Sequence, residues 1–180
     1  ACLAESRAAT YGLTGLLSAS VELLPHQVDV VRRVLNDNLQ RYLLADEVGL
    51  GKTIEACAII RQTILDNPSE KVVVLVPTPL TAQWMRELSW RFFIEFPEHD
   101  VRVLPYEDLH SIDPSNVDML VVDEAHNLIS DDPSADEVYR AIESLSSHAH
   151  RLLLISATPV LGNERTLLAL LHLLDPQNYR

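Results

Sequence analysis

Lysine is nearly absent from this 180-residue chain: Lys52 and Lys71 are the only two. With 14 basic against 26 acidic residues the formal net charge is −12. Phosphate binding normally leaves a basic footprint, so a broad nucleic-acid surface is excluded. Any such contact must be local, through backbone amides and hydroxyls, or lie on other parts of the protein. Arg32-Arg33 is the densest basic spot and reads as a solvated helix face. The two cysteines, Cys2 and Cys57, give neither a disulfide framework nor a zinc spacing, and they fit a reducing cytoplasm. The apolar runs fall far short of the ~20 residues that span a bilayer, so no membrane partner is expected. The start, Ala1-Cys2-Leu3-Ala4-Glu5, shows neither an initiator Met nor a signal pattern, which suggests a piece of a longer protein.

Hydrophobic residues make up 47% of the chain, enough for the core of one ordinary domain. Helices and strands alternate along it. A helix is expected over 26–39, with Val28, Val31, Leu35 and Leu39 on one face, then a strand over 41–45. A helix to about Leu65 and a turn at Asn67-Pro68-Ser69 come next. The β-branched run 71–76 reads as a buried strand ended by Pro77. Leu80, Trp84, Leu88 and Phe92 recur every fourth residue and predict a helix packed on the core and ended by Pro97. Short strands are expected at 101–104, 118–122 and 151–155. Between the last two, a helix presents Ala135, Val138, Ile142 and Leu145. Asn163 is placed to cap a final helix that stops at Asp175-Pro176. Apolar strands separated by helices predict an α/β domain, with a mostly parallel central sheet and helices on both faces. Ligands in such folds bind at the carboxyl ends of the strands.

The polar motifs fall at those ends. Residues 46–53 read Asp46-Glu47-Val48-Gly49-Leu50-Gly51-Lys52-Thr53, between a strand and a helix. Backbone amides of such a loop wrap phosphate oxygens at a helix N-terminus. Val48, Gly49, Leu50, Gly51, Lys52 and Thr53 are the candidate phosphate binders, Lys52 as a point charge and Thr53 as a hydroxyl for Mg²⁺. The strict pattern wants Gly where Asp46 stands, and a glycine turn capping an ordinary helix is the competing reading.

Asp123-Glu124-Ala125-His126 follows an apolar strand. Asp123 is a candidate Mg²⁺ ligand opposite Thr53, and Glu124 is placed to orient or deprotonate water. His126 either transmits nucleotide state or bonds locally. Ser156-Ala157-Thr158-Pro159 follows the last strand, so Ser156 and Thr158 can bond to the Asp123–Glu124 loop. The amide of Gln27 offers a donor and an acceptor suited to an adenine edge. Pro77 and Thr78 begin a helix whose amides can hold a nucleic-acid phosphate. Trp84 reads as core. His148 and His150 read as solvated loop residues, since no third ligand stands at zinc spacing. His99 and His110 read as surface residues, and Asp131-Asp132 and Asp136-Glu137 as a solvated face.

In this order the motifs resemble the superfamily 2 helicase-like ATPases, and in wording the Swi/Snf-type branch. Leu23-Leu24-Pro25-His26-Gln27, Leu43-Leu44-Ala45-Asp46-Glu47-Val48-Gly49 and Leu173-Leu174-Asp175-Pro176 are similar to the bacterial RNA-polymerase-associated group of that branch. Asp46 is then normal for the family. The resemblance covers roughly residues 10 to 180. It implies a RecA-like P-loop domain, a lead-in segment over 1–24 and the first ATP-binding lobe over 25–180, with a second lobe elsewhere. It also implies ATP and Mg²⁺ as cofactors and ATP-driven movement on double-stranded DNA by the full-length protein.

RNA polymerase or another protein is an implied partner, and a bacterial, nucleoid-associated cytoplasmic location is expected. In the same terms Gln27 reads adenine, Ser156 and Thr158 couple the cycle to DNA, and Tyr11 lies where an aromatic near the base could sit. Two rival functions are a strand-unwinding RNA or DNA helicase, and a nucleotide-sensing protein-binding module without transport. A P-loop kinase or transporter ATPase is disfavoured by Gln27 and the Ser156–Pro159 motif.

Overall fold

The computed structural model describes residues 19–45, 49, 51–96, 98–129, 133–156 and 163–179. Five strands, β1 (Arg41–Leu44), β2 (Val72–Val76), β3 (Val101–Pro105), β4 (Met119–Val122) and β5 (Arg151–Ile155), form one sheet in the order β1-β5-β4-β2-β3. Every pairing is parallel. The α/β architecture expected from the apolar strands is therefore the one observed.

Alternation along the strands decides which layer each residue joins. Val72, Val74, Val76, Met119, Val121, Leu153 and Ile155 face one side. They pack under α1 (Pro25–Asn36), α2 (Lys52–Asp66) and α3 (Thr81–Arg86). Val73, Leu75, Leu120, Val122, Leu152 and Leu154 face the other side, under α4 (Pro133–His148) and α5 (Glu164–Leu174). Helix α2 is buried on nearly every side, with Ala56 through Ile60 and Ile64 at 2% exposure or less. A helix in that position is fixed in direction, and its N-terminus is held at one sheet edge.

Several elements end where the chemistry of single residues dictates. Helix α1 stops at Asn36, three residues short of the expected end. Asp37 takes an extended conformation and accepts hydrogen bonds from the Leu39 amide (3.3 Å) and the Tyr42 hydroxyl (2.5 Å). This Asx-type turn competes with the helix and leaves Leu39 61% exposed rather than on the apolar face. The stripe at Leu80, Trp84, Leu88 and Phe92 does not lie on one α-helix. A four-residue repeat drifts about 40° per step on an α-helix. The chain absorbs the drift with a 3₁₀ turn (Thr78–Leu80), α3 and a π-helical turn (Glu87–Arg91). The widened turn keeps Trp84, Leu88 and Phe92 buried together. The run ends by Phe93, at φ +52°, well before Pro97, which lies outside the described residues.

His148 is the last residue of α4 rather than a loop residue, and its Nδ1 lies 2.8 Å from the Ser144 carbonyl oxygen. Asp136 and Glu137 are exposed on that helix, as expected; Asp131 and Asp132 lie outside the described residues. Asn163 caps α5, accepting from the Thr166 amide at 3.2 Å. At the sheet edge where the strands begin, the Arg41 guanidinium donates to the carbonyls of Ser146, Ala149, Leu173 and Leu174 at 2.7–3.1 Å. It closes the C-terminal ends of α4 and α5 together, where the orphan carbonyls and the helix dipoles favour a cation. Among the described residues no helix is long and apolar enough to cross a membrane.

Candidate active site at the strand ends

Because all five strands run the same way, their carboxyl ends meet at one edge. The ladder continues one step beyond the strands: the Ser156 amide donates to the Leu44 carbonyl (3.0 Å), and the Asp123 amide to the Leu75 carbonyl (2.9 Å). Ser156 therefore sits between the strand that leads into the glycine loop and the strand that delivers the acidic pair.

The glycine loop has the backbone that its sequence requires. Gly49 and Gly51 have φ of +92° and +85°, a left-handed conformation that costs an L-residue roughly 1–2 kcal/mol. Gly51 is the N-cap of α2 and brings no side chain to the helix end. The first-turn amides of a 15-residue helix thus face the loop rather than a capping hydroxyl. A Cβ on Gly49 would meet nothing within 4 Å. Lys52 and Thr53 open the helix and are half-buried. Val48 and Leu50 lie outside the described residues.

Gln27, in the first turn of α1, is 5% exposed. Its Oε1 accepts the Leu24 amide at 2.9 Å, which fixes the side chain. Its Nε2 lies against Gly51, 2.2 Å from where a Cβ would be. The structure thus brings the Gln27 motif and the glycine loop into direct contact.

Asp123 is 5% exposed. Its Oδ1 accepts the Glu124 amide at 2.8 Å and its Oδ2 the indole N–H of Trp84 at 2.7 Å. The Tyr106 hydroxyl donates to its main-chain carbonyl. Burial pushes the Asp123 carboxyl above its ordinary value. The Trp84 and Glu124 hydrogen bonds and the charges of Lys52 and His126 pull it back. Only β5 separates the strand that leads into the loop from the strand that ends at Asp123, so the loop and the acid share one sheet edge. Glu124 has φ +52°, uncommon for a residue with a side chain, and turns its half-buried carboxylate out of the strand line. His126 Nδ1 stands 3.3 Å from Glu124 Oε2 and 3.1 Å from Ser156 Oγ. The Asp123–Glu124 loop is therefore joined to the end of β5 through His126. Thr158 and Tyr11 lie outside the described residues.

Pro77 and Thr78 occupy the end of β2 and the following turn. The Thr78 hydroxyl donates to Glu107 Oε2 at 2.7 Å and holds that carboxyl below its usual range. A phosphate at this turn would have to share the hydroxyl with a carboxylate. Among the described residues no group of His, Cys, Asp and Glu forms a ready metal cluster, His148 and His150 included.

Two residues of this site, Trp84 and Tyr106, stand outside the sequence motifs. Trp84 belongs to the core, as expected, but its N–H reaches Asp123. Tyr106 stands after β3 in a stretch without a motif. A buried indole must place its N–H on an acceptor, and that requirement is the signal Trp84 offers.

The donor set fits a nucleotide polyphosphate with a divalent cation. Two left-handed glycines, a helix N-terminus without a capping side chain and Lys52 lie at one sheet edge, and a buried carboxylate and Thr53 supply oxygen ligands of the kind Mg²⁺ takes. Sheet, loop and acid pair together define a RecA-like P-loop α/β domain. The model of the SNF2-related domain family matches residues 26–104 and 98–180, and the chain belongs to that family.

Solved structures similar in fold include the Sulfolobus solfataricus SWI2/SNF2 ATPase core in complex with dsDNA. It has a TM-score of 0.71 and 21% identity over 89% of this chain and 37% of that one. The UvsW helicase of bacteriophage T4 has a TM-score of 0.65 and 17% identity over 83% of this chain and 57% of that one. The Pyrococcus furiosus Hef helicase domain has a TM-score of 0.63 and 20% identity over 83% and 35%. This chain thus spans little more than a third of the Sulfolobus chain.

Proposed function

We propose that this chain is the first ATP-binding lobe of a DNA-dependent ATPase that couples ATP hydrolysis to movement on double-stranded DNA. The observation that carries the reading is that the Gly51–Lys52 helix start and the Asp123–Glu124 pair follow the two strands that flank β5, at the same edge of a parallel sheet. Family membership supports it, as does the fold shared with an ATPase core solved on dsDNA.

In this reading the amides from Gly49 to Thr53, with Val48 and Leu50, hold the phosphates, and Lys52 neutralises their outer charge. Thr53 and Asp123 would hold Mg²⁺, which when bound would supply positive charge beside the phosphates. Glu124 orients the attacking water and takes its proton. Gln27 presents its amide to the adenine while bracing Gly51. His126 ties Glu124 to Ser156, and Ser156 with Thr158 passes the state of the site toward DNA held at the Pro77–Thr78 turn. ATP lies between this lobe and a second one, which supplies arginines to the developing charge.

The test is DNA-stimulated ATP hydrolysis by the full-length protein beside its Lys52→Ala variant. Stimulation by duplex DNA that the variant lacks supports the reading; hydrolysis unchanged by Lys52→Ala removes it. A second reading, a strand-unwinding helicase, is favoured by the fold shared with the UvsW and Hef helicases. Displacement of a triplex-forming strand with the duplex left closed distinguishes translocation from unwinding. We further place the protein in the bacterial RNA-polymerase-associated group, cytoplasmic and nucleoid-associated, on the wording of Leu43 through Gly49. Co-purification with RNA polymerase tests that placement.

A further inference from the structure

Trp84 is 1% exposed and sits in the middle of α3, in the core cluster on the α1–α2 side of the sheet. Packing alone would account for its ring but not for its polar edge. An indole N–H is a donor only, and a buried donor needs an acceptor. Trp84 spends that donor on Oδ2 of Asp123, at 2.7 Å. The other oxygen, Oδ1, is taken by the Glu124 amide at 2.8 Å. Tyr106 grips the carbonyl of the same residue. The carboxylate is thus held at both oxygens, and the plane in which it can offer its remaining lone pairs is set.

A carboxylate that ligates a cation through one lone pair is commonly oriented by a donor on another, and such partners tune metal affinity. We infer that Trp84 is a positioning residue whose N–H fixes the Asp123 carboxylate in the orientation that receives the cation of the bound nucleotide. The inference rests on the nucleotide-binding reading above and adds to it a residue outside the glycine loop and the acidic pair. It also gives α3 a second task. The helix runs on from the Thr78 turn, so any shift of that turn along the helix axis moves the donor that holds Asp123.

Two variants of the full-length protein separate this role from packing. Trp84→Phe removes the N–H and part of the ring. Site-specific replacement of Trp84 by β-(3-benzothienyl)alanine exchanges only the N–H for sulfur and keeps the ring volume, so the fold is retained even if Trp84→Phe disturbs it. Binding of a non-hydrolysable ATP analogue is measured first in EDTA. Mn²⁺ is then titrated into the protein–nucleotide complex and followed by electron paramagnetic resonance.

The expected result for the benzothienyl variant is nucleotide affinity in EDTA within about twofold of the parent, with Mn²⁺ affinity weakened roughly 10–100-fold. Unchanged Mn²⁺ affinity overturns the role of Trp84 while leaving the nucleotide site standing. Equal losses with and without metal assign Trp84 to packing and also overturn it. Failure of the parent protein to bind the analogue at all removes the underlying reading and the inference together.

Discussion

The side-chain nitrogen of Gln27 lies 2.2 Å from the point a Cβ on Gly51 would occupy. Gln27 is buried and pinned through Oε1 to the Leu24 amide, so it has little room to retreat. Gly51 is therefore required twice, for its φ of +85° and for the contact. Gly49, at φ +92°, is required for its backbone alone, because open space lies where its side chain would be.

Gly51→Ala should thus cost more than Gly49→Ala. Each pays roughly 1–2 kcal/mol for the left-handed backbone, and Gly51→Ala must also displace Gln27. In thermal unfolding without nucleotide, Gly51→Ala is expected to melt lower than Gly49→Ala. Equal melting temperatures would contradict the contact.

Glu124→Gln keeps the size and shape of the side chain and removes its basicity. Nucleotide binding and melting temperature should stay near those of the parent, while hydrolysis by the full-length protein falls about 10²–10⁴-fold, the usual contribution of a general base. A loss of binding in step with hydrolysis would give Glu124 a structural task instead.

Arg41 closes two helix ends with its guanidinium. Arg41→Met keeps much of the stem and leaves four carbonyls without their charged donor. The expected destabilisation is about 2–4 kcal/mol, read by urea unfolding. A loss below 0.5 kcal/mol would show that water replaces the guanidinium without penalty.

His172 offers a pH-dependent contact far from the strand ends. Its Nδ1 faces the Tyr179 carbonyl and its Nε2 lies 2.8 Å from Glu143 Oε1, so two acceptors face two ring nitrogens. Only the imidazolium satisfies both. The Tyr179 carbonyl, then the Glu143 carboxylate, raise its pKa above the ordinary 6.5. A raised folded value means the contribution is complete below pH 6.5 and fades as pH rises through that higher value. The stability difference between the parent and His172→Gln should be larger at pH 5.5 than at pH 9. The reverse order would contradict the assignment.

How far these features were legible in the sequence follows from their range. The strands, the glycine loop and the acid pair are written in contiguous residues, because a parallel strand is an apolar run and each motif follows its strand directly. The end of α1 is not legible because Val28, Val31 and Leu35 continue the helical period toward Leu39, while the side chain of Asp37 diverts the backbone first. The broken helix around Trp84 was hidden for a related reason: a four-residue stripe looks α-helical until its drift is counted. Trp84 and Tyr106 reach Asp123 across 39 and 17 residues. Such bonds depend on strand order, which no local pattern displays. The burial of Gln27 against Gly51 is of the same kind.

The two-lobe reading also predicts how residues 1–180 behave alone. An arginine supplied from outside the phosphate loop is worth 10³–10⁵ in rate in related phosphoryl transfer. The chain alone should bind ATP yet hydrolyse it at least about 10³-fold more slowly than the full-length protein. Robust DNA-stimulated turnover by these residues alone would contradict the need for a second lobe.

The most direct measurement is a crystal structure with Mg²⁺ and a non-hydrolysable ATP analogue. The account predicts the triphosphate against the amides from Gly49 to Thr53, Lys52 on its outer phosphates, and the cation between Thr53 and the Asp123 side. Nucleotide bound elsewhere, or bound at the loop with Asp123 and Glu124 turned away from it, would contradict the account at its centre.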